Sequence, residues 1–290
     1  MSRSDILPGW SHVLGFDEGD VMADLSLDGL FSVAGKVVLV TGGSRGIGEM
    51  IAAGFLANGA TVYISSRKAE VCDATAGRLA DEYDATCVSM PADLSRLDGI
   101  DALVQRLSEQ ESRLDVLVNN AGASWGASIE EFPEAGWDKV MDTNVKGVFF
   151  LTQRLLPLLQ TAGTAKNPSR VINIGSIDGI KTPVFDTWSY GPSKAALHAL
   201  TRQMAARLVG RNIIVNGIAP GPFPTWMLST GVGTGGDVEG TDWAAIGAGV
   251  PRGRVGTPED IAGLALFLSS RAGAFTVGEV ITCDGGIVVS

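Results

Sequence analysis

The chain has 290 residues, 45% of them hydrophobic and 19% charged, with a formal net charge of −10. That length can bury a large core, and the acidic balance disfavours sequence-independent binding to nucleic acid, which requires a basic surface. Three scattered cysteines (Cys72, Cys87, Cys283) and two histidines (His12, His198) offer no metal-ligand spacing, and no long apolar run or charged-then-apolar leader is evident, so a soluble, cytoplasmic protein with no membrane partner is expected.

Residues 1–34 differ from the rest. Trp10, Val13, Leu14 and Phe16 are scattered among Asp, Glu and Gly without a sustained period. This stretch reads as an irregular arm that ends in a short turn at Asp28 to Phe31. It lies over the domain or a neighbouring subunit, or else it is a poorly ordered tail. From residue 35 to 290 a regular alternation begins. Val37 to Val40 is a β-branched run typical of a strand buried on both faces. A Gly-rich turn follows, then helical spacing from Ile47 to Leu56. The expected strands continue as Thr61 to Ser65, Thr86 to Met90, Asp115 to Val118, Arg170 to Ile174, Asn212 to Ile218 and Glu279 to Cys283. Between them come helices at Lys68 to Tyr83, around Ile100 to Leu107, Glu134 to Leu159, Tyr190 to Leu208 and Pro258 to Leu268. The last opens with Thr257 as N-cap and Pro258 at the first position. Unbroken alternation implies right-handed βαβ units. The expected fold is therefore α/β: a single doubly wound, Rossmann-type domain with a mostly seven-stranded parallel sheet and helices on both faces. Residues 221–250 interrupt the rhythm after Ile218. They hold Trp226, Met227 and Trp243 among glycines and read as a lid over the crevice at the strand ends.

Three local patterns carry chemistry. The first is the turn Thr41-Gly42-Gly43-Ser44-Arg45-Gly46-Ile47-Gly48. Its glycines allow positive φ and a close backbone approach to a pyrophosphate, which the next helix N-terminus attracts. The second is Ser65-Ser66-Arg67 after the second strand. A carboxylate for an adenosine 2′-hydroxyl is absent there. Arg67 and Arg45 instead supply two guanidiniums for a 2′-phosphate, which favours NADP(H) over NAD. The third is Tyr190 with Lys194, one helical turn apart. An ammonium beside a phenol stabilises phenolate and lowers the phenol pKa from about 10.

Taken in order, these strings resemble the short-chain dehydrogenase/reductase family from about Leu30 to the C-terminus. The matching set is Thr41-Gly42 to Gly48, Asp93-Leu94, Asn119-Asn120-Ala121-Gly122, Asn144, Ser176, Tyr190 with Lys194, Pro220-Gly221, Pro251 to Asp260, and Asp284-Gly285-Gly286. The resemblance implies that Asp93 and Leu94 line an adenine pocket. It places Asn120, Ala121 and Gly122 along the adenosine, and Pro220, Gly221 and Thr225 beside the nicotinamide carboxamide. It implies a catalytic set of Asn144, Ser176, Tyr190 and Lys194. Ser176 would bind the substrate carbonyl, Tyr190 would transfer the proton, Lys194 would hold the nicotinamide ribose, and Asn144 would anchor a water. It also implies a homotetramer.

Within that family the chain is similar to 3-oxoacyl thioester reductases, above all the rhamnolipid-synthesis type, through Ser124-Trp125-Gly126-Ala127 and Asn167 to Ser176. The partner would be acyl carrier protein, coenzyme A or no carrier. Arg202, Arg207 and Arg211 could dock an acidic carrier or form a solvated helix face. Two other readings remain open at this level. One is an NADP-dependent enzyme for another small-molecule carbonyl or alcohol (sugar, polyol, ketone, quinone). The other is a catalytically silent NADP-binding regulator.

Overall fold

A computed structural model describes residues 24–230 and 238–290. Its centre is a sheet of seven parallel strands: β1 (Val37–Thr41), β2 (Thr61–Ser65), β3 (Cys87–Ser89), β4 (Val116–Asn119), β5 (Ser169–Ile174), β6 (Ile213–Pro220) and β7 (Val280–Cys283). The order across the sheet is β3-β2-β1-β4-β5-β6-β7. The direction of winding reverses between β1 and β4. The crevice beyond the carboxyl ends of these two strands is therefore the expected ligand position in a doubly wound sheet.

The helices are α1 (Leu27–Phe31), α2 (Gly46–Ala57), α3 (Ala69–Tyr83), α4 (Leu97–Gln110), α5 (Glu134–Met141), α6 (Gly147–Ala162), α7 (Tyr190–Leu208), α8 (Trp226–Thr230), α9 (Trp243–Ala248) and α10 (Pro258–Ser269). Alternate residues of β1 feed two cores. Val38 and Val40 pack with Ile51, Phe55, Ile261 and Leu268 of α2 and α10. Val37 and Leu39 pack with Leu103, Leu155 and Met204 of α4, α6 and α7. All five β1 residues are buried, because helices cover both faces.

Two ends of the chain differ from the sequence expectation. The short turn at Asp28 to Phe31 is a one-turn helix, capped by Ser26 Oγ, which accepts from Gly29 N at 3.0 Å. Most of the irregular arm, residues 1–23, lies outside the described residues. The expected lid is also more regular than its glycines suggest, since it carries α8 and α9. Asp242 caps α9 by accepting from Ala245 N at 2.9 Å. Residues 231–237 of that lid lie outside the described residues. The cap at α10 is as expected, with Pro258 at its start. The Asp260 carboxylate accepts from Thr257 N at 2.8 Å and pairs with Arg254.

A buried arginine ties the sheet to α10. Arg170 on β5 is 1% exposed. Its guanidinium donates to the carbonyls of Leu268 and Ser270 at 3.1 Å each, and to Pro168 O. It thus satisfies carbonyls at a helix C-terminus, where cations are favoured. Burial lowers its pKa to about 10, still well above neutral pH. Arg170→Met keeps length and removes the donors. It should lower stability by about 2–3 kcal/mol, read from the midpoint of urea unfolding. An unchanged midpoint would mean that these carbonyls do not depend on the guanidinium.

Candidate active site

The Gly-rich turn links β1 to α2 and faces the crevice. Gly42 and Gly46 have φ of +64° and +57°, a region that residues with a β-carbon rarely adopt. At Gly48 the need is space, since an added β-carbon would overlap Gly42 O and Asn120 Nδ2. Asn120 locks the turn from the neighbouring strand end. Its Nδ2 donates to Thr41 O at 2.9 Å and to Gly42 O at 3.1 Å. Thr41 Oγ1 accepts from the backbone N–H groups of Asn120 and Ala121 at 2.9 and 3.0 Å. Ser44 O accepts from Thr75 Oγ1 at 3.0 Å, which ties the turn to α3. The N-terminus of the 12-residue α2 and an open backbone cradle suit a phosphate group.

At the end of β2, Ser66 Oγ is buried and without a hydrogen-bond partner among the described residues. Arg67 follows it directly. Among the described residues neither Arg45 nor Arg67 is ion-paired with a carboxylate. Burial and the Arg67 charge both lower the Arg45 pKa. An orphan hydroxyl beside two cations that repel each other fits a phosphate dianion.

The second half of the site is built on α7 and the end of β5. Tyr190 is the first residue of α7 and Lys194 lies one turn on. The Lys194 Nζ is 5.5 Å from the Tyr190 ring centroid and donates to Ile174 O, at the end of β5, at 2.8 Å. Ser176 follows β5. Its Oγ accepts from Asp178 N at 3.1 Å, and its hydroxyl favours the ionised form of the Tyr190 phenol.

Asn144 comes from the helical segment after β4. The expected single helix from Glu134 to Leu159 is interrupted there by a π-helical turn, Asp142–Lys146, between α5 and α6. Such turns frequently mark functional positions, because the widened ring re-aims a side chain. Asn144 is 1% exposed. Its Oδ1 accepts from Ala123 N at 2.8 Å, and its Nδ2 donates to Ala123 O and Ser193 Oγ at 3.0 and 2.9 Å. A β-carbon on Gly122 would lie 3.5 Å from Asn144 Oδ1 and 3.7 Å from Lys194 Nζ. The two polar groups therefore border the same small space.

Electrostatics in this crevice run against the simple sequence expectation. The ammonium was expected to lower the phenol pKa. In the protein alone the Tyr190 pKa is raised to about 12, by burial first and then by Asp178, with the Ser176 hydrogen bond opposing. Lys194 is lowered to about 8, because burial penalises its charge more than Asp178 supports it. Desolvation is the largest cause for both groups. Asp178 is itself raised by burial.

The remaining expected residues fall around this crevice with varied local duties. Asp93 accepts from Ser95 N and Oγ at 3.1 and 2.8 Å. Leu94 is buried, and its carbonyl sits where a β-carbon on Gly147 would be. Ile47 is partly buried against the first core. Pro220 ends β6, and Gly221 N donates to Cys283 O at 3.0 Å. Thr225 lies against the turn, since a β-carbon on Gly46 would come within 3.1 Å of its Cγ2. Asp178 and His198 escape the sequence reading. His198 is buried, packs against Gly175 and Gly179 on either side of Ser176, and is lowered to about 4 by burial first and by Lys194 and Arg202 next. It is therefore neutral at physiological pH. The helical spacing that links Tyr190 to Lys194 extends one more turn to His198, and that was the available signal.

Comparison with known proteins places this geometry. Residues 42–288 match the family described as Enoyl-(Acyl carrier protein) reductase. The chain is 52% identical over 256 residues to the rhamnolipids biosynthesis 3-oxoacyl-[acyl-carrier-protein] reductase of Pseudomonas aeruginosa, covering 88% of this chain and 97% of that one. It is 37% identical to gluconate 5-dehydrogenase of Gluconobacter oxydans, over 90% of this chain and 98% of that one. Among solved structures, the Pseudomonas aeruginosa RhlG/NADP active-site complex superposes with a TM-score of 0.82 at 50% identity, over 90% of this chain and 99% of that one. L-sorbose reductase of Gluconobacter frateurii, solved with NADPH and L-sorbose, gives 0.80 at 28% identity, over 90% and 99%. The chain belongs to the short-chain dehydrogenase/reductase family of oxidoreductases.

The burial of the phenols can be checked directly. The chain has three tyrosines, and Tyr63 and Tyr83 are also raised, so no phenol keeps an ordinary environment. An ultraviolet titration of the protein without cofactor should show no phenolate forming with a midpoint near the usual value of about 10. A full tyrosine-equivalent titrating at or below that value in a folded Tyr83→Phe variant would contradict the burial of Tyr190 or Tyr63, and a Tyr190→Phe variant would assign it.

Proposed function

We propose that the chain is an NADPH-dependent carbonyl reductase that converts a 3-oxoacyl thioester to the 3-hydroxyacyl thioester. The observation that carries the chemistry is Tyr190 and Lys194 on one turn of α7, with Lys194 Nζ 5.5 Å from the phenol ring and bonded to Ile174 O at the strand end that leads into Ser176. The substrate class rests on the similarity to the Pseudomonas aeruginosa reductase. Residues 35–290 act as the reductase domain, residues 1–34 as an arm and residues 221–250 as the substrate lid.

The cofactor residues divide by chemistry. Gly42, Ser44, Gly46, Ile47 and Gly48, with the N-terminus of α2, would hold the pyrophosphate. Arg45, Ser66 and Arg67 would hold the 2′-phosphate. Asp93, Leu94, Asn120, Ala121 and Gly122 would border the adenosine, and Pro220, Gly221 and Thr225 the carboxamide. When bound, NADPH supplies the hydride.

The chain's own groups supply the rest. Ser176 Oγ already accepts from Asp178 N. Its hydroxyl proton, which favours the Tyr190 phenolate in the protein alone, would turn to the substrate carbonyl oxygen, where negative charge develops. Tyr190, with a pKa of about 12, is protonated at neutral pH, the state that reduction requires. Its proton goes to the carbonyl oxygen as the new C–H bond forms. Lys194, at about 8, is mostly charged at neutral pH and stabilises the phenolate left behind. It also holds the nicotinamide ribose. Lys194 would return a proton to the phenolate, and Asn144 would anchor a water beside Gly122 through which Lys194 is reprotonated from solvent.

A keto-sugar or polyol reductase is the second reading, favoured by the similarity to gluconate 5-dehydrogenase and L-sorbose reductase. The thioester would arrive on acyl carrier protein or coenzyme A, and Arg202 and Arg207, exposed on α7, would receive an acidic carrier. Among the described residues no helix is long and apolar enough to cross a membrane. The cytoplasm and a homotetramer complete the proposal. Exposed Trp137 and Phe149 on α5 and α6 support the assembly, and a one-chain mass by light scattering would contradict it.

Tyr190→Phe tests the assignment. With acetoacetyl-coenzyme A and NADPH its turnover should fall by about 10²–10⁴-fold, while NADPH binding persists. Retained turnover would remove Tyr190 from the chemistry. Lost cofactor binding would point to a structural role instead.

A further inference from the structure

The Gly-rich turn and the segment after β6 meet at one unusual contact. The Arg45 guanidinium carbon lies 4.5 Å from the ring centroid of Trp226. Trp226 is the first residue of α8 and is half exposed. The residue before it, Thr225, rests on Gly46 of the same turn. The stack is thus held from both sides, by the turn beneath and by Thr225 beside it.

Such stacking uses the flat face of a guanidinium. Its five N–H donors lie in the plane of the group and stay available at the edge. A freely rotating arginine would turn away from a nearby cation. Arg67 is that cation, and its charge is felt at Arg45. A ring stacked on the guanidinium resists this rotation and keeps the donors presented before any anion arrives. Orientation paid in advance is a source of affinity for a phosphate.

We propose that Trp226 is a specificity-determining residue for the cofactor: it holds Arg45 edge-on to the 2′-phosphate and so favours NADP(H) over NAD(H). This rests on the reading of Arg45 and Arg67 as the 2′-phosphate site. Trp226 touches no phosphate in this scheme and acts through Arg45, so it is a positioning residue. Selectivity is therefore set partly from α8, at the start of the lid.

The test uses 2′,5′-ADP and 5′-ADP as probes, which differ only in the 2′-phosphate, titrated calorimetrically against the full chain. Trp226→Leu should weaken 2′,5′-ADP by about three- to tenfold, the range of a partly exposed cation–π contact, and leave 5′-ADP within about twofold. Trp226→Phe should retain most of the affinity. Trp226→Leu should have no further effect when Arg45 is already changed to Ala. An equal loss for both probes, or the same loss with and without Arg45, would overturn the inference. Should Trp226→Leu fail to fold, Trp226→Phe and Trp226→Tyr must still preserve the preference. If Arg45→Ala leaves the preference for 2′,5′-ADP intact, the underlying 2′-phosphate reading fails. If Arg45→Ala removes it and Trp226→Leu does not, only the role of Trp226 fails.

Discussion

One buried charge organises this molecule. The Lys194 ammonium sits inside the crevice and donates to a single protein acceptor among the described residues, Ile174 O at the end of β5. Burying a charge is costly unless it is hydrogen-bonded and paired. Much of the surrounding structure limits that cost. The start of α7 places Tyr190 beside it, Asp178 adds a supporting negative charge, and the π-helical turn brings Asn144 to the same small space beside Gly122. The cost that remains shows in the Lys194 pKa of about 8. An ammonium so arranged suits an anionic or hydroxyl-bearing ligand, which is the position proposed for the cofactor ribose.

The polar scaffold behind the crevice serves the same purpose. Asn119 on β4 donates to Thr152 Oγ1 on α6 and to Asn173 Oδ1 on β5 at 3.1 and 2.9 Å. Asn173 donates in turn to Thr201 Oγ1 on α7 at 2.9 Å. Buried side-chain chains of this kind fix one arrangement of their elements, since each broken link leaves a desolvated partner. Here they fix α7 to the strand ends that carry Ser176 and Asn120. The neutral His198 fills the space beneath the Ser176 loop, so Ser176 and the α7 pair share one support.

Much of this was legible in the sequence. The β-branched run at Val37 to Val40 and the glycines of the following turn announce the first strand and the phosphate cradle, because local backbone demands dictate those residues. The boundaries of α7, Tyr190 and Leu208, coincide with the expected ones. The ordered motifs were enough to assign the family. What could not be read locally depends on distant partners. The π-helical turn at Asn144 leaves the helical pattern of its neighbours intact. Only its far contacts, Ala123 and Ser193, reveal why it is there. The raised Tyr190 pKa depends on burial, which helical spacing does not report. The Arg45–Trp226 stack joins residues 181 positions apart. Glycine-rich composition also hid the short helices of the lid, where Asp242 caps α9.

The reaction chemistry and the substrate rest on different parts of the molecule. Ser176, Tyr190 and Lys194 can reduce many carbonyls, while the choice among them belongs to the crevice rim and the lid. The most direct test compares kcat/KM for acetoacetyl-coenzyme A and 5-keto-D-gluconate under the same NADPH-saturated conditions. The thioester should be favoured by at least about tenfold, equivalent to about 1.4 kcal/mol of differential transition-state binding. A higher kcat/KM for the keto-sugar would contradict the thioester account and support the sugar reductase reading.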